Sequence, residues 1–405
     1  MEPLKTQILK KMGRILFYLK SMNMFFYHMI DEVEAKETEK FQFPLCCLPA
    51  LAANEVVKSL DIPERIKLAI TSRRMENFVK RGSSKTPLTY NFYIYNENSQ
   101  ILIEHKEEIV AIVGKTILNA DQDLCIETEQ LVPWLNWKRS NLWNMTCVLR
   151  KLRRIIPTGK FELSLNTDKI SVEFLKKLIA IPEFSTIQMM KVGKQIESEI
   201  LKIVMDWCPR NVKFAVCTDS VVSTDFHHEK AFKFSTVIYD DARWVKVQDL
   251  FTLENSDEVR LCDNTLTSND VNRFLEFWIE SDLDMFREYS MWADSLDITE
   301  VLGDIIRVET TRDGHDYLMI KSTRKLKIMS IIITAEACLK LHVYPQEEEA
   351  FSKEYKVLEL MEQKKRLETE LQGGEAQRLT MEIRELKKKL NEICTFFDDK
   401  TAIIA

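Results

Sequence analysis

From about residue 160 onward one short pattern returns: apolar, any, apolar, two further positions, Asn or Asp, one position, apolar. Leu163-Ser-Leu165-Asn-Thr-Asp168-Lys-Ile170 has this form, and Phe214-Ala-Val216-Cys-Thr-Asp219-Ser-Val221 repeats it. Val259-Arg-Leu261-Cys-Asp-Asn264-Thr-Leu266 repeats it again. With less regular strand starts near Ile187, Val237, Leu283 and Ile306, the spacing becomes about 22–27 residues, inside the ~20–29 period of leucine-rich-type repeats. Each unit predicts one strand and one helix, the Asn or Asp side chain satisfying backbone groups where the chain leaves the strand. Thr267-Ser-Asn-Asp270 is a capping-box-like start, after which Val271, Phe274, Leu275, Trp278 and Ile279 line one helix face. Ser171 likewise precedes Phe174, Leu175, Leu178 and Ile179. One unit cannot bury its apolar side alone, so neighbours must stack into a parallel strand face with a helical back. The alternative is ordinary α/β structure with accidental spacing.

The pattern ends in antiparallel signals. Ile306-Arg-Val-Glu and Tyr317-Leu-Met-Ile flank Arg312-Asp313-Gly314-His315, and Asp-Gly is a strong hairpin turn. Lys327 to Thr334 is a further β-branched run. Beyond it, Phe351 to Ile393 is dense in Lys, Glu, Leu and Arg. Leu360, Lys364, Leu367 and Leu371 form one ladder at 4-3-4 spacing, and Leu379, Ile383, Leu386, Leu390 and Ile393 another. Gly373-Gly374 interrupts them. The two ladders read as a helical hairpin or a short, broken coiled coil.

Upstream, the stretch Phe43 to Arg81 is punctuated by Pro44, Pro49 and Pro63. Val56, Val57 and Leu60 fall at helical spacing, the chain breaks at Asp61-Ile62-Pro63, and Ile66, Leu68, Ala69 and Ile70 resume the spacing up to Ser72. Met75, Phe78 and Val79 close the module. Three short helices in roughly 40 residues bury little surface, so their core should finish on a neighbour or a partner. Before this module, residues 1–40 read as a helical extension, basic and apolar at first and then acidic. After it, two β-favouring runs around Asn96-Glu97-Asn98-Ser99 read as a hairpin joined by a third strand from Ile109, and Trp134, Trp137 and Trp143 precede a helix.

Composition narrows the function classes. The chain has 405 residues, 45% hydrophobic and 30% charged, which is globular and leaves room for two or three domains. A net charge of −6 gives no general reason to expect nucleic acid. Lys151-Leu-Arg153-Arg154 and Lys387-Lys388-Lys389 lack interleaved stacking aromatics and read as solvated faces. Only 9 glycines occur, which weighs against glycine-cradled cofactor sites. Val110 to Thr116 ends in Gly-Lys-Thr, but Ile109 stands where a phosphate loop needs an earlier glycine. The 9 cysteines include no Cys-x-x-Cys pair and read as free thiols in a reducing compartment. His227-His228 and Cys46-Cys47 are adjacent pairs whose side chains diverge, so neither is a metal-ligand pair. Asn144-Met145-Thr146 matches a glycosylation acceptor by chance. The apolar run Ile15 to Ile30 is short and carries Lys20, so no membrane span is expected. No motif announces a catalytic site, a cofactor or a metal.

Two stretches resemble known families. Pro44, Leu48-Pro49, Val56-Val57, Leu60, Ile66, Leu68, Ser72 and Phe78 carry a resemblance to an F-box. Ala52, Ala53 and Asn54 stand where that family often has an acidic residue, and no late tryptophan closes the module. EVRLCDNTLTSNDVNRFLEFWIES and RVETTRDGHDYLMIKS carry a resemblance, over about 160–335, to the type 2 F-box-associated domain of the nematode-type F-box family. The resemblance implies a mixed α/β chain: a short three-helix F-box at 41–85, a hairpin and helical linker region at 86–158, and an irregular leucine-rich-repeat-like strand/helix solenoid at 159–345. Antiparallel strands and C-terminal helices at 351–395 end it. It further implies a substrate-recognition subunit of a Skp–cullin–F-box type ubiquitin ligase, cytoplasmic or nuclear, without a catalytic site. Pro44, Leu48, Pro49, Val56, Val57, Leu60, Ile66 and Leu68 would contact the Skp adaptor or support that surface, and the repeat-like domain would hold a protein substrate. The alternative is a non-enzymatic interaction scaffold whose F-box-like helices are only structural.

Overall fold

The structure, a computed structural model, describes residues 48–83, 88–95, 98–114, 124–156, 158–166, 170–193, 196–217, 222–292, 296–312, 314–334, 338–346, 348–371 and 376–404. The extension over 1–40, Pro44, Cys46-Cys47, Lys115-Thr116, Asp168, Asp219 and Gly373-Gly374 lie outside these residues. The chain divides into two units, one built from residues up to 166 with 176–188, the other from 167–175 and 189–405.

The first unit opens with helices α1 (Ala50–Ser59), α2 (Ile62–Thr71) and α3 (Arg73–Gly82). Their ends are written in local chemistry. Pro49 is the N-cap residue of α1, where a missing N–H costs nothing. Asp61 and Glu64 form a reciprocal capping box, Oδ1 accepting from the Glu64 N–H at 2.9 Å and Oε2 from the Asp61 N–H at 3.0 Å. Ser72 Oγ accepts from the Met75 N–H at 3.2 Å and starts α3. Arg65 reaches back with Nε to the Leu60 carbonyl at 2.9 Å and with Nη2 to the Lys58 carbonyl at 2.8 Å, covering acceptors left open at the end of α1. Helices α1 and α3 approach so closely at Gly82 that a Cβ there would lie 2.6 Å from Val57 Cβ.

Strands β1 (Leu88–Tyr95), β2 (Asn98–His105), β3 (Glu108–Gly114), β4 (Cys125–Ile126) and β5 (Thr158–Asn166) follow. Their order is β5-β1-β2-β3-β4, with β1–β2 and β2–β3 antiparallel and β1–β5 and β3–β4 parallel. The described part of β3 runs to Gly114, and the continuation of this strand to Ile117 that the sequence predicts lies outside the described residues. Helix α4 (Asn141–Ile155) buries Met145, Val148, Leu149, Leu152 and Ile155, the three-four spacing of a helix packed on one side. Helix α2 packs on β3, β4 and the turn Val132–Trp134, and α3 packs on α4. A 2.6 Å ion pair between Arg154 and the buried Glu76 ties α4 to α3. Phe184 fills the space beside β1 and β5, its ring 5.1 Å from Phe92 and 5.9 Å from Phe161.

Helix α5 (Val172–Ile179) lies across the division of the chain and starts on Ser171, whose Oγ accepts from the Phe174 N–H at 3.1 Å. The second unit is a mixed sheet with helices. Strands β6 (Met189–Gly193), β7 (Lys213–Val216), β8 (Thr236–Asp241), β9 (Ser256–Asp263) and β10 (Phe286–Trp292) run parallel, each beside the next in sequence. Between them lie helices α6 (Ser198–Trp207), α7 (Val247–Leu250) and α8 (Ser268–Glu280), and after β10 comes α9 (Ile298–Leu302). Helix α8 begins at the expected box, Thr267 Oγ1 accepting from the Asp270 N–H at 3.2 Å. Asn264 behaves as the repeat pattern anticipates: its Oδ1 accepts from the Leu266 N–H at 3.1 Å, and its Nδ2 donates to the carbonyls of Cys262 and Trp292.

The strand expected near Ile306 leaves the parallel run. It becomes β11 (Arg307–Arg312), antiparallel to β12 (His315–Lys321) across a turn in which Gly314 has φ +78°, so the hairpin turn overrides the repeat spacing. Strands β13 (Lys327–Ile333) and β14 (Cys338–Pro345) continue antiparallel, and β14 returns to pair with β10. Helices α10 (Ser352–Leu371) and α11 (Ala376–Ile393) pack on each other and lead to the hairpin β15 (Cys394–Phe397) and β16 (Thr401–Ile404). Strand β16 then lies parallel to β11. A core of Val308, Met319, Ile328, Tyr355, Leu358 and Leu390 joins the helical pair to these last strands. Among the described residues no helix is long and apolar enough to cross a membrane.

One histidine of this unit carries a pH signature. The Lys230 N–H donates to His228 Nδ1 at 3.2 Å, so the proton of the neutral ring sits on Nε2, 3.4 Å from Asp206 Oδ1. Burial lowers the imidazole pKa despite the opposing pull of Asp206. The folded-state value lies below the unfolded one, so unfolded chains take up the proton first. Stability is therefore lost as pH falls below the ordinary His value of ~6.5. Urea midpoints should drop more steeply between about pH 7 and about pH 5 for the wild type than for His228→Gln. Parallel slopes would remove His228 from the acid response.

Candidate binding surfaces

Two surfaces can hold a partner, one on each unit. On the first, the stripe Ala53, Val56, Val57 and Leu60 turns inward from α1, with Val57 fully buried. Ile66 is also fully buried in α2. Leu48 and Leu68 are half-buried, and Pro49 is exposed. The positions expected to meet a partner thus divide into a buried set and an outer set, with Pro44 outside the described residues. Sequence reasoning missed Leu51, which is 81% exposed. Its position was readable: Leu51 falls two residues before Ala53 and so stands off the stripe that repeats at three-four spacing. Together Leu48, Pro49 and Leu51 make an apolar tip at the start of α1.

On the second unit the parallel strands have one covered and one open side. Along each strand successive side chains alternate. Val237, Tyr239, Val259, Leu261, Tyr289 and Met291 are buried. The other set reads across the strands in rows. Ile238 stands beside Arg260, Arg260 beside Ser290, and Ser290 beside Lys340. In the next row Glu258 neighbours Glu288, and Glu288 neighbours His342. Arg260 and Glu258 pair at 2.7 Å, and Trp292 is 38% exposed at the far end. This side therefore offers apolar, cationic and anionic groups on backbone held rigid by its ladder, the makings of a protein-binding surface.

Catalytic chemistry finds less support there. The Cys262 thiol lies 3.8 Å from Asp240, and burial, then that carboxylate, pushes its pKa up to about 11. It is a thiol at neutral pH and a poor nucleophile. Burial pushes Cys208 higher still. His227 and His228 point to different partners, Asp249 at 3.1 Å and Asp206 at 3.4 Å. Among the described residues no group of three or more His, Cys, Asp and Glu could hold a metal ion.

Two clefts flank the sheet. One of about 740 Å³ runs between α8 and α10, floored by Phe251, Phe277 and Ile306, with the two phenyl rings stacked at 4.4 Å. The other, about 750 Å³, lies at the starts of β9 and β10, where Lys327 pairs with Asp284 at 2.6 Å. The basic clusters are largely taken up locally: Lys151 lies 5.0 Å over Trp134, Arg153 lies 5.3 Å over Phe161, and Lys387 pairs with Glu368 at 3.4 Å. Asn144 is buried, and its amide nitrogen donates to the Asn136 carbonyl at 3.0 Å, so the glycosylation match is sequestered.

Comparison with known proteins adds to this geometry. A protein of Caenorhabditis elegans, Skn-1 dependent zygotic transcript 15 protein, is 21% identical over 296 residues, covering 65% of this chain and 83% of that protein. No solved structure matches the chain. Residues 225–287, which build β8, α7, β9, α8 and the start of β10, match the F-box associated family. That stretch supplies the middle of the open strand face, and the chain there carries an F-box associated domain.

Proposed function

We propose that the chain is the substrate-recognition subunit of a Skp–cullin–F-box type ubiquitin ligase, working in the cytoplasm or nucleus. The observation that carries this reading is the order of modules: three short helices at 50–82 ahead of an F-box associated domain sequence at 225–287. In this reading residues 41–85 are the F-box. Pro44, Leu48, Pro49 and Leu51 meet the Skp adaptor, half-buried Leu68 borders the contact, and Val56, Val57, Leu60 and Ile66 support it from beneath. The parallel run β6 to β10 acts as an irregular leucine-rich-repeat-like array within 159–345, and its open side holds a protein substrate. Transfer of ubiquitin belongs to other subunits. The chain contributes proximity, raising the effective concentration of target near the enzyme.

A second reading rests on a specific observation. Val56, Val57, Leu60 and Ile66 are buried within their own unit, so the helices have a structural role independent of any adaptor. The chain would then be an interaction scaffold. Titration of the purified full chain with the Skp adaptor separates the two. A stoichiometric complex is expected, weakened about 30-fold or more by Leu51→Asp, an outward change that leaves the thermal midpoint in place. A well-folded wild type that ignores the adaptor would leave the scaffold reading standing.

A further inference from the structure

After the turn Val132–Trp134 the chain holds two tryptophans to solvent, Trp137 at 70% exposure in the loop before α4 and Trp143 at 41% in the first turn of α4. The backbone that carries them is braced. Asn144, buried at the first turn of α4, accepts from the Asn136 N–H at 2.8 Å and donates to the carbonyls of Asn136 at 3.0 Å and Arg139 at 3.5 Å. Asn136 Oδ1 accepts in turn from the Lys138 N–H at 3.0 Å, and Ser140 Oγ accepts from the Trp143 N–H at 3.3 Å. The Arg139 guanidinium lies 5.4 Å over the Trp143 ring. Lys138 and Arg139 are both exposed, and neither has a carboxylate partner among the described residues.

These observations select a kind of partner. A large aromatic side chain on pre-organised backbone loses little conformational entropy on binding, which is why Trp and Arg dominate interface hot spots. Two unpaired cations beside it favour carboxylates opposite. The site adjoins the helical module of the same unit, because the Val132–Trp134 turn packs on α2, the helix that carries Leu68. We propose that the Trp137–Arg139 loop is a second contact for the protein that docks on the helices, seating Trp137 in an apolar recess and setting Lys138 and Arg139 against acidic side chains of that partner. This rests on the reading above, in which that protein is the Skp adaptor. No residue of the loop figures among the positions carried by the F-box resemblance.

The test is titration of the full chain with the purified adaptor at low and moderate salt. Trp137→Ala should weaken binding about 30-fold, the loss of one hot-spot residue. A Lys138→Gln, Arg139→Gln double variant should bind more weakly at low salt and lose most of the wild type's salt dependence. Both variants change exposed side chains, and unchanged thermal midpoints would show that they fold. If the adaptor binds wild type, Trp137→Ala and the double variant alike at both salt concentrations, the loop is not a contact and the adaptor reading survives alone. If the adaptor does not bind the folded wild type, both fall together.

Discussion

Val57→Asp is expected to unfold the helical module, and Leu51→Asp, six residues earlier, is expected to leave it folded. Val57 is fully buried, and its Cβ and Cγ1 stand 2.6 and 2.7 Å from where a Cβ on Gly82 would be. A carboxylate in that close-packed space would be buried away from water, at a cost of about 3–5 kcal/mol. Leu51 is open to water and pays none of this. Limited proteolysis of the full chain gives the readout: rapid cleavage within 50–82 for Val57→Asp, wild-type resistance for Leu51→Asp. Equal resistance would mean that the packing of α1 on α3 is not what holds the module. The contrast also decides which variants can test docking. Loss of adaptor binding in Val57→Asp would report folding, whereas the same loss in Leu51→Asp would report contact.

Phe274→Ala should cause the largest single loss in the second unit. Its ring packs at 5.2 Å from Tyr289 and 5.8 Å from Phe286, joining α8 to β10, and it is 1% exposed. Truncation leaves a cavity that rigid neighbours on a strand cannot close, costing about 3–5 kcal/mol. For a unit of this size the calorimetric midpoint should fall by about 6–20 °C. Trp292→Ala on the open side of the same strand should change stability by no more than about 0.5 kcal/mol. Similar losses at both positions would contradict the division of the strands into a covered and an open side.

Local chemistry made much of this legible. The capped helices of the first module follow from Pro49, Asp61-Ile62-Pro63 and Ser72, because caps and proline act within one turn of chain. Helix α8 follows from Thr267 and Asp270 in the same way, and the β11–β12 hairpin from Gly314. Asn264 was readable because its bonds reach only to its own turn and the neighbouring strand end. What stayed hidden depends on distant partners. The packing of α2 is decided by β3, β4 and the Val132–Trp134 turn, tens of residues away. The pairing of Arg307 with Thr401 leaves no mark on either segment. The bonds of Asn144 to Asn136 and Arg139 were hidden as well, because a buried asparagine carries no local sign of which loop it will brace.

The strand order also sets a schedule for folding. From β7 to β10 every strand pairs with its predecessor, so each loop closed is short and the ladder can grow by addition to an existing edge. The return of β14 to β10, and of β16 to β11, closes much longer loops, whose entropy must be spent before the contacts form. Refolding should therefore build the F-box associated stretch early, with the antiparallel strands and helical pair docking afterwards. Until they arrive, the edge of β10 stands unpaired, and the interval between the two stages is when this chain is most exposed to association with copies of itself.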